Sequence, residues 1–295
     1  KDIKRAQKIK KQYKIQKLYK SLSALLKDKE VDIIDICSPA TKHYSQIIRS
    51  MDNNIKNIIV EKPFVTELAQ IKNILKKNKT KKLNIICLCQ QRFREESKSL
   101  KKFLSDNKKK LGKIFRIEGK AIYRDRIPKQ IENSFTNKNL SGGGPLMDHG
   151  SHIMDLLFYL FPNFKIKKIH PFLFKNLNKK NIFYNVEDSA FINILFSNKV
   201  VFNFETSYVS PRPKEEFSLK LYFEKGYVVW PKLTCHYSKN NKINKIKFNL
   251  DKLASDNQFL NIYEMIVNKK IKKFNLDNTL KVVSAISNCY KKSII

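Results

Sequence analysis

Glycine is scarce in this 295-residue chain: there are seven, and none precedes Gly112. Glycine supplies tight turns at positive φ and close backbone approaches, so a cluster of the few that exist marks a special local requirement. Acidic residues are also few, 26 Asp+Glu against 60 Lys+Arg, for a formal net charge of +34. Five cysteines, Cys37, Cys87, Cys89, Cys235 and Cys289, form no C-x-x-C pair, which excludes the common zinc motifs and a stapled secreted scaffold and suits a reducing cytosol. Cys87 and Cys89 alternate within an apolar run and are expected on one face of a buried strand. No apolar run approaches the ~20 residues that span a bilayer. The longest, 153-IMDLLFYLF-161, is interrupted by Asp155. No signal peptide is visible, and the chain starts at Lys1 rather than Met, which leaves room for sequence upstream.

What is present argues for a folded enzyme-sized protein. The apolar share is 42%, with 20 Phe and 12 Tyr, enough to offset ordering entropy and exclude disorder. At about 150 residues per domain the length predicts two domains with a cleft between them. The basic excess invites a nucleic-acid or membrane-surface reading. It is nevertheless spread along the chain, as in 76-KKNKTKK-82, 108-KKK-110, 178-NKKN-181 and 239-KNNKINKIK-247, with no base-stacking aromatics gathered beside it. A solvated, compositionally biased surface accounts for it better. A basic nucleic-acid-binding protein stands as the rival, with charge on one face and steeply salt-dependent affinity.

The pattern along the chain starts with a polar helix over 3–14 and a short helix capped by Ser21. The strands 31-VDIIDI-36, 57-NIIV-60 and 83-LNIICLC-89 then alternate with helices over 41–52 and 66–78. Strands apolar on both faces, separated by helices, predict a parallel sheet covered on both sides, half of a doubly wound nucleotide-binding domain. A charged helix, 95-ESKSLKKFLSDNKKK-109, closes at Gly112. Beyond it 113-KIFRIEGKAIY-123, 190-AFINILF-196, 200-VVFNFETSY-208, 217-FSLKLYF-223 and 227-YVVW-230 read as strands of a mostly antiparallel sheet. One face is expected to be open and the other covered by a helix near 145–161, with a last amphipathic helix over 279–293. The fold class is therefore α/β, an incomplete parallel-sheet domain over 1–93 followed by an α/β domain over 94–295 with a mostly antiparallel open sheet.

Two places carry the chemistry. Lys62 follows the strand 57-NIIV-60 at its carboxyl end, where open α/β sheets bind ligands, and Pro63 keeps the next helix from absorbing it. By composition alone it is equally one more surface lysine. The second place is 142-GGGPLMDHGSHIMD-155, which holds four of the seven glycines. Pro145 suits the first position of a helix, on which Asp148, His152 and Asp155 would fall on one face at i, i+4 and i+7. An Asp and a His so placed are a metal site, a satisfied structural pair or an acid/base pair. No partner helix with metal-ligand spacing accompanies them, so no metal is expected and acid/base work is favoured.

Together, 31-VDIIDICSPATKHY-44, 61-EKP-63, 88-LCQQRF-93, 142-GGGPLMDHGSHIMD-155 and 187-EDSA-190 resemble the Gfo/Idh/MocA family of nicotinamide-dependent oxidoreductases. The resemblance implies an N-terminal Rossmann-like domain using NAD or NADP and a C-terminal α/β domain whose open sheet mediates homo-oligomers. It implies a catalytic group of Lys62, Asp148 and His152, with Ser38, Pro39, His43, Glu61 and Gln90 on the cofactor side. His152 would be the general base, Lys62 would stabilise charge on the same oxygen, and Asp148 would orient His152 or the substrate hydroxyl. The expected reaction is hydride transfer between the cofactor and a secondary alcohol or ketone on a sugar, nucleotide sugar or polyol. Arg92, Arg124, Arg126 and Arg212 are candidates for an acidic substrate group, and Asp155 joins Arg92 and Arg124 as a substrate-binding candidate. The family's G-x-G-x-x-G loop has no counterpart here, and Ala40 stands where relatives have a polar residue. The chain therefore reads as an N-terminally truncated copy lacking its first βαβ segment, with weak cofactor binding expected and the NAD/NADP selector outside it. A non-catalytic structural partner of the same fold is the other alternative.

Overall fold

The computed structural model describes residues 2–124, 134–175, 184–239, 242–248, 257–268 and 276–293. Helix α1 (Ile3–Gln12), rich in lysine, buries none of its side chains. Helix α2 (Leu22–Leu26) starts where the Ser21 hydroxyl accepts the Ala24 N–H at 3.1 Å, the cap anticipated from the sequence. Three strands then alternate with helices: β1 (Ile33–Ile36), α3 (Ala40–Asp52), β2 (Asn57–Glu61), α4 (Leu68–Lys81) and β3 (Asn84–Leu88). They pair in parallel in the order β1-β2-β3, with Ile34 beside Ile58 and Ile58 beside Ile85. Because both faces are covered, Ile58, Ile59 and Val60 in succession are all buried.

After a short 3₁₀ turn (Gln90–Arg92), the helix expected over 95–109 divides at Asn107 into α5 (Glu95–Asp106) and α6 (Lys108–Leu111). It ends at Gly112, whose φ of +77° is a backbone conformation that favours glycine. The second layer comprises β4 (Ile114–Ile122), α7 (Lys138–Ser141), a π-helical turn (Leu146–Gly150), α8 (Ser151–Leu160), β5 (Ile166–Phe174), β6 (Ser189–Phe196), β7 (Val201–Ser207), β8 (Glu216–Phe223), β9 (Gly226–Trp230), β10 (Thr234–Lys239) and β11 (Lys242–Lys247); α9 (Gln258–Val267) returns to the parallel sheet, where Ile262 clusters with Ile59, Ile86 and Leu88, and α10 (Asp277–Lys292) contributes to both cores. The eight strands run β11-β10-β9-β8-β4-β7-β6-β5, antiparallel throughout except for the parallel pair β4 and β7. Helix α8 packs on one face, Ile153, Leu156 and Phe158 meeting Ile117, Phe202 and Phe204 in one core. The other face carries a polar row of register partners, His170, Asn193, Asn203, Glu118 and Lys220.

The sequence reading passed over β5, β10, β11 and α9. Pro171 argues against a strand, yet β5 is the sheet's edge, where proline is tolerated. The lysine-rich β10 and β11 hairpin lacks the apolar alternation that marks a strand. Among the described residues, no helix is long and apolar enough to cross a membrane.

Candidate active site

Two loops at the carboxyl ends of β1 and β2 face the π-helical turn of the second layer. Lys62 leaves the end of β2, and its Nζ donates to Asp148 Oδ1 across the junction. The other carboxylate oxygen of Asp148 accepts the Tyr208 hydroxyl at 3.0 Å and lies 3.2 Å from His149 Nε2. Burial alone would push the Asp148 carboxyl up, but Lys62, His149 and the Lys62 and Tyr208 hydrogen bonds together hold it below the usual carboxylate range. It is an ionised anchor for the lysine.

The structure changes one relation inferred from spacing. An α-helix would stack Asp148 over His152, but Leu146–Gly150 is wound as a π turn, which widens the chain between them. Asp148 therefore bonds Lys62, Tyr208 and His149 rather than His152. His152 is 6% exposed, its Nδ1 has no hydrogen-bond partner, and its ring stands edge-on to Phe217 at 6.4 Å. Burial first, and the Lys62 charge second, push its pKa from 6.5 down to about 3. The ring is neutral at physiological pH.

Two clefts meet at the Lys62–Asp148 pair. One, of about 320 Å³, is lined by Ser38, Pro39, Ala40, Glu61, Pro63 and Met147 among others. The other, of about 620 Å³, is lined by Gln90, Gln91, Arg94, Tyr123, His149, His152, Tyr208 and Phe217. Both sizes fall in the range of about 300–1,000 Å³ usual for small-molecule sites, and Lys62, Phe135 and Asp148 line both. Tyr123 and Tyr208 reach the second cleft together because β4 and β7 are parallel, which brings their carboxyl ends to the same edge; Tyr123 N–H donates to Ser207 O at 2.9 Å. The His149 ring lies against Tyr123 at 4.2 Å and edge-on to Tyr208 at 5.2 Å. The strand pattern carries no sign of which pair is parallel and so does not bring the two tyrosines together, although His149 lies inside the glycine-rich motif.

Other candidates fall elsewhere. Ser38, Pro39 and Glu61 line the first cleft, whereas Gln90 lines the second. His43 is buried beneath the loops, its ring nitrogens 2.9 and 2.7 Å from the carbonyl oxygens of Pro63 and Ser38. It braces the two loops instead of facing the cleft. Arg92 and Asp155 do not wait for substrate: they pair with one another in the interior, Arg92 Nε donating to Asp155 Oδ2 at 2.5 Å and Nη2 to Oδ1. Although burial works against the charge, Asp155 holds the Arg92 guanidinium protonated. Arg212 pairs with Glu205 and Glu216. Arg124 lines neither cleft, and Arg126 lies outside the described residues.

The first cleft fits the nicotinamide end of a dinucleotide: Pro39, Ala40, Pro63 and Met147 give apolar walls for a flat ring, and Ser38, Glu61 and Lys62 supply polar groups at its rim. Its position outside the strand carboxyl ends is the usual ligand crevice of an open α/β sheet. No G-x-G-x-x-G turn for a pyrophosphate occurs in the 295 residues.

Residues 1–87 match the profile of the oxidoreductase family with an NAD-binding Rossmann fold, and residues 100–229 match the GFO/IDH/MocA C-terminal domain. Over 280 residues the chain is 24% identical to D-glucoside 3-dehydrogenase of Escherichia coli (strain K12), spanning 90% of this chain and 77% of that protein. It superposes on levoglucosan dehydrogenase in complex with NADH and levoglucosan with a TM-score of 0.81 and 16% identity, covering 98% of this chain and 85% of that one. The super-repressor mutant of Gal80p from Saccharomyces cerevisiae shares the fold at a TM-score of 0.79 and 15% identity, over 99% of this chain and 85% of that one. Architecture is thus common to differently named proteins, and chemistry is specified by the side chains in the two clefts.

Proposed function

The chain belongs to the GFO/IDH/MocA family of NAD-binding oxidoreductases, and from that membership we propose that it interconverts a secondary alcohol and a ketone on a sugar, nucleotide sugar or polyol. The observation that carries the reading is the Lys62–Asp148 pair standing where the two clefts meet, with His152 lining the second. Residues 1–93 would hold NAD or NADP, with Ser38, Pro39 and Glu61 about its nicotinamide end, and residues 94–295 would hold the substrate. Similarity to D-glucoside 3-dehydrogenase supports a carbohydrate-like substrate.

When bound, the cofactor supplies the hydride acceptor or donor. The remaining work is the protein's. His152, neutral because it is buried, takes the hydroxyl proton as general base. Lys62 places its ammonium beside the same oxygen and stabilises negative charge as it develops. That charge also makes a proton on His152 more favourable at the moment it is needed. Asp148, its carboxyl held below the usual carboxylate range, serves to hold Lys62 in place. Tyr123, His149 and Tyr208 form an aromatic wall of the second cleft.

The outer face of the larger sheet is proposed to pair with a second copy. Phe172, Phe174 and Phe191 are exposed there, beside mixed charges such as Glu118 with Lys220 that suit self-association. All five cysteines are free, four of them buried, which supports a reducing cytoplasmic setting. The functional test is turnover of a sugar and polyol panel with NAD and NADP. His152→Asn and Lys62→Met are each expected to lower kcat by about 10²–10⁴-fold, with cofactor affinity little changed in His152→Asn. Near-normal turnover in either variant overturns the assignment.

A further inference from the structure

The buried carboxylate of Glu187 takes no part in the proton transfer described above, yet it sits at the base of the loop that presents Asp148. Its Oε2 accepts the Gly144 N–H at 2.9 Å, and its Oε1 accepts the Leu146 N–H at 3.2 Å and the Tyr290 hydroxyl at 2.7 Å. Gly144 O in turn accepts the Asp148 N–H at 3.0 Å. A Cβ on Gly144 would lie 2.0 Å from Glu187 O, so only glycine lets the loop come this close. The adjoining residue extends the same control: Asp188 O accepts the Tyr208 N–H at 2.9 Å, and Tyr208 is the residue whose hydroxyl donates to Asp148.

We propose that Glu187 is a positioning residue for the oxidoreductase site, fixing the Gly144–Leu146 loop from below so that Asp148 meets Lys62, and linking that loop through Tyr290 to the C-terminal helix α10; the proposal rests on the functional reading given above. A carboxylate at 6% exposure is costly to bury. A fold that needed only packing here would be served by an apolar side chain, whereas a carboxylate also collects the unpaired N–H groups where a helix begins and favours that end of the helix dipole. The consequence is precision. Asp148 must hold Lys62 at the junction of two clefts, and a displacement of about 1 Å at a reacting group can cost on the order of 10²-fold in rate.

The test compares wild type with Glu187→Gln, Glu187→Ala and Tyr290→Phe, reading kcat, KM for the alcohol, cofactor Kd, and amide hydrogen exchange at Gly144 and Leu146. Tyr290→Phe removes one donor without burying an unmatched group and keeps the comparison informative if Glu187→Ala fails to fold. Expected are faster exchange at both amides and a kcat lowered about 10- to 100-fold in Glu187→Gln, with Glu187→Ala worse, Tyr290→Phe milder and cofactor Kd unchanged in the folded variants. A folded Glu187→Gln protein with unchanged kcat, or with unchanged exchange at both amides, overturns the proposal. If wild type turns over but is indifferent to His152→Asn, the functional reading fails instead, and the exchange measurements still decide whether Glu187 holds the loop.

Discussion

Removing Asp155 would strand the Arg92 guanidinium in the protein interior. The two side chains are 7% and 0% exposed and joined by two hydrogen bonds, so each charge depends on the other for nearly all its solvation. Breaking such a pair from one side costs about 3–5 kcal/mol, while replacing both partners by apolar residues of similar volume is often neutral or stabilising. For a protein whose total stability is about 5–15 kcal/mol, Asp155→Ala should therefore remove about a fifth of it or more, and Arg92→Met with Asp155→Leu should restore most of the loss. Urea unfolding of Arg92→Met, Asp155→Leu and the double variant closes a thermodynamic cycle, in which the midpoint shifts with the slope unchanged. Losses below about 1 kcal/mol in the singles, or a double variant as weak as the sum of both, would refute the reasoning. The same double variant separates this role from substrate recognition. An internal pair leaves KM for the alcohol nearly unchanged, whereas a substrate-binding arginine would raise it.

Acid should weaken the fold through His152. Its folded pKa of about 3 lies below the unfolded value of 6.5, so the unfolded chain binds the extra proton between those values. The stabilising effect of keeping the ring neutral is full above pH 6.5 and is lost as pH falls toward 3, at about 1.4 kcal/mol per pH unit. Wild type should lose stability over that window faster than His152→Gln, and parallel urea midpoints from pH 7 to pH 4.5 would argue against it. On the outer sheet face, Phe172 and Phe191 are register partners, and Phe191→Asp should shift the protein to a smaller species in sedimentation velocity with secondary structure retained. An unchanged sedimentation coefficient would place the contact elsewhere.

Local signals were sufficient where structure is local. The apolar strands before Gln90 are continuous runs because both their faces are covered, and Gly112 and Ser21 stand at helix ends for reasons of backbone geometry and capping. Lys62 was recognisable from its position after a strand, and Asp148 and His152 from the glycine cluster around them. The partners of Asp148 were not. Spacing assumes an α-helix, and a single π turn was enough to exchange His152 for His149 and Tyr208. Tyr208 and Tyr123 are 85 residues apart, brought together by one parallel strand pair within an otherwise antiparallel sheet. Arg92 and Asp155, 63 residues apart, looked like ligand-binding charges because nothing in either segment announces that the other will neutralise it. Pairing across the chain is a property of topology, and local pattern carries little of it.

Helix α10 closes two interiors at once. Val283, together with Leu276 just before the helix, belongs to the apolar cluster beneath β1, β2 and β3, while Val282, Ala285, Ile286 and Cys289 belong to the one beneath the larger sheet. A nascent chain that has emerged only as far as Gln90 therefore still lacks some of the atoms that fill the core beneath β1, β2 and β3. The early strands must wait, partly unsealed, for residues 276–289, which makes folding of the two layers a joint event rather than two successive ones.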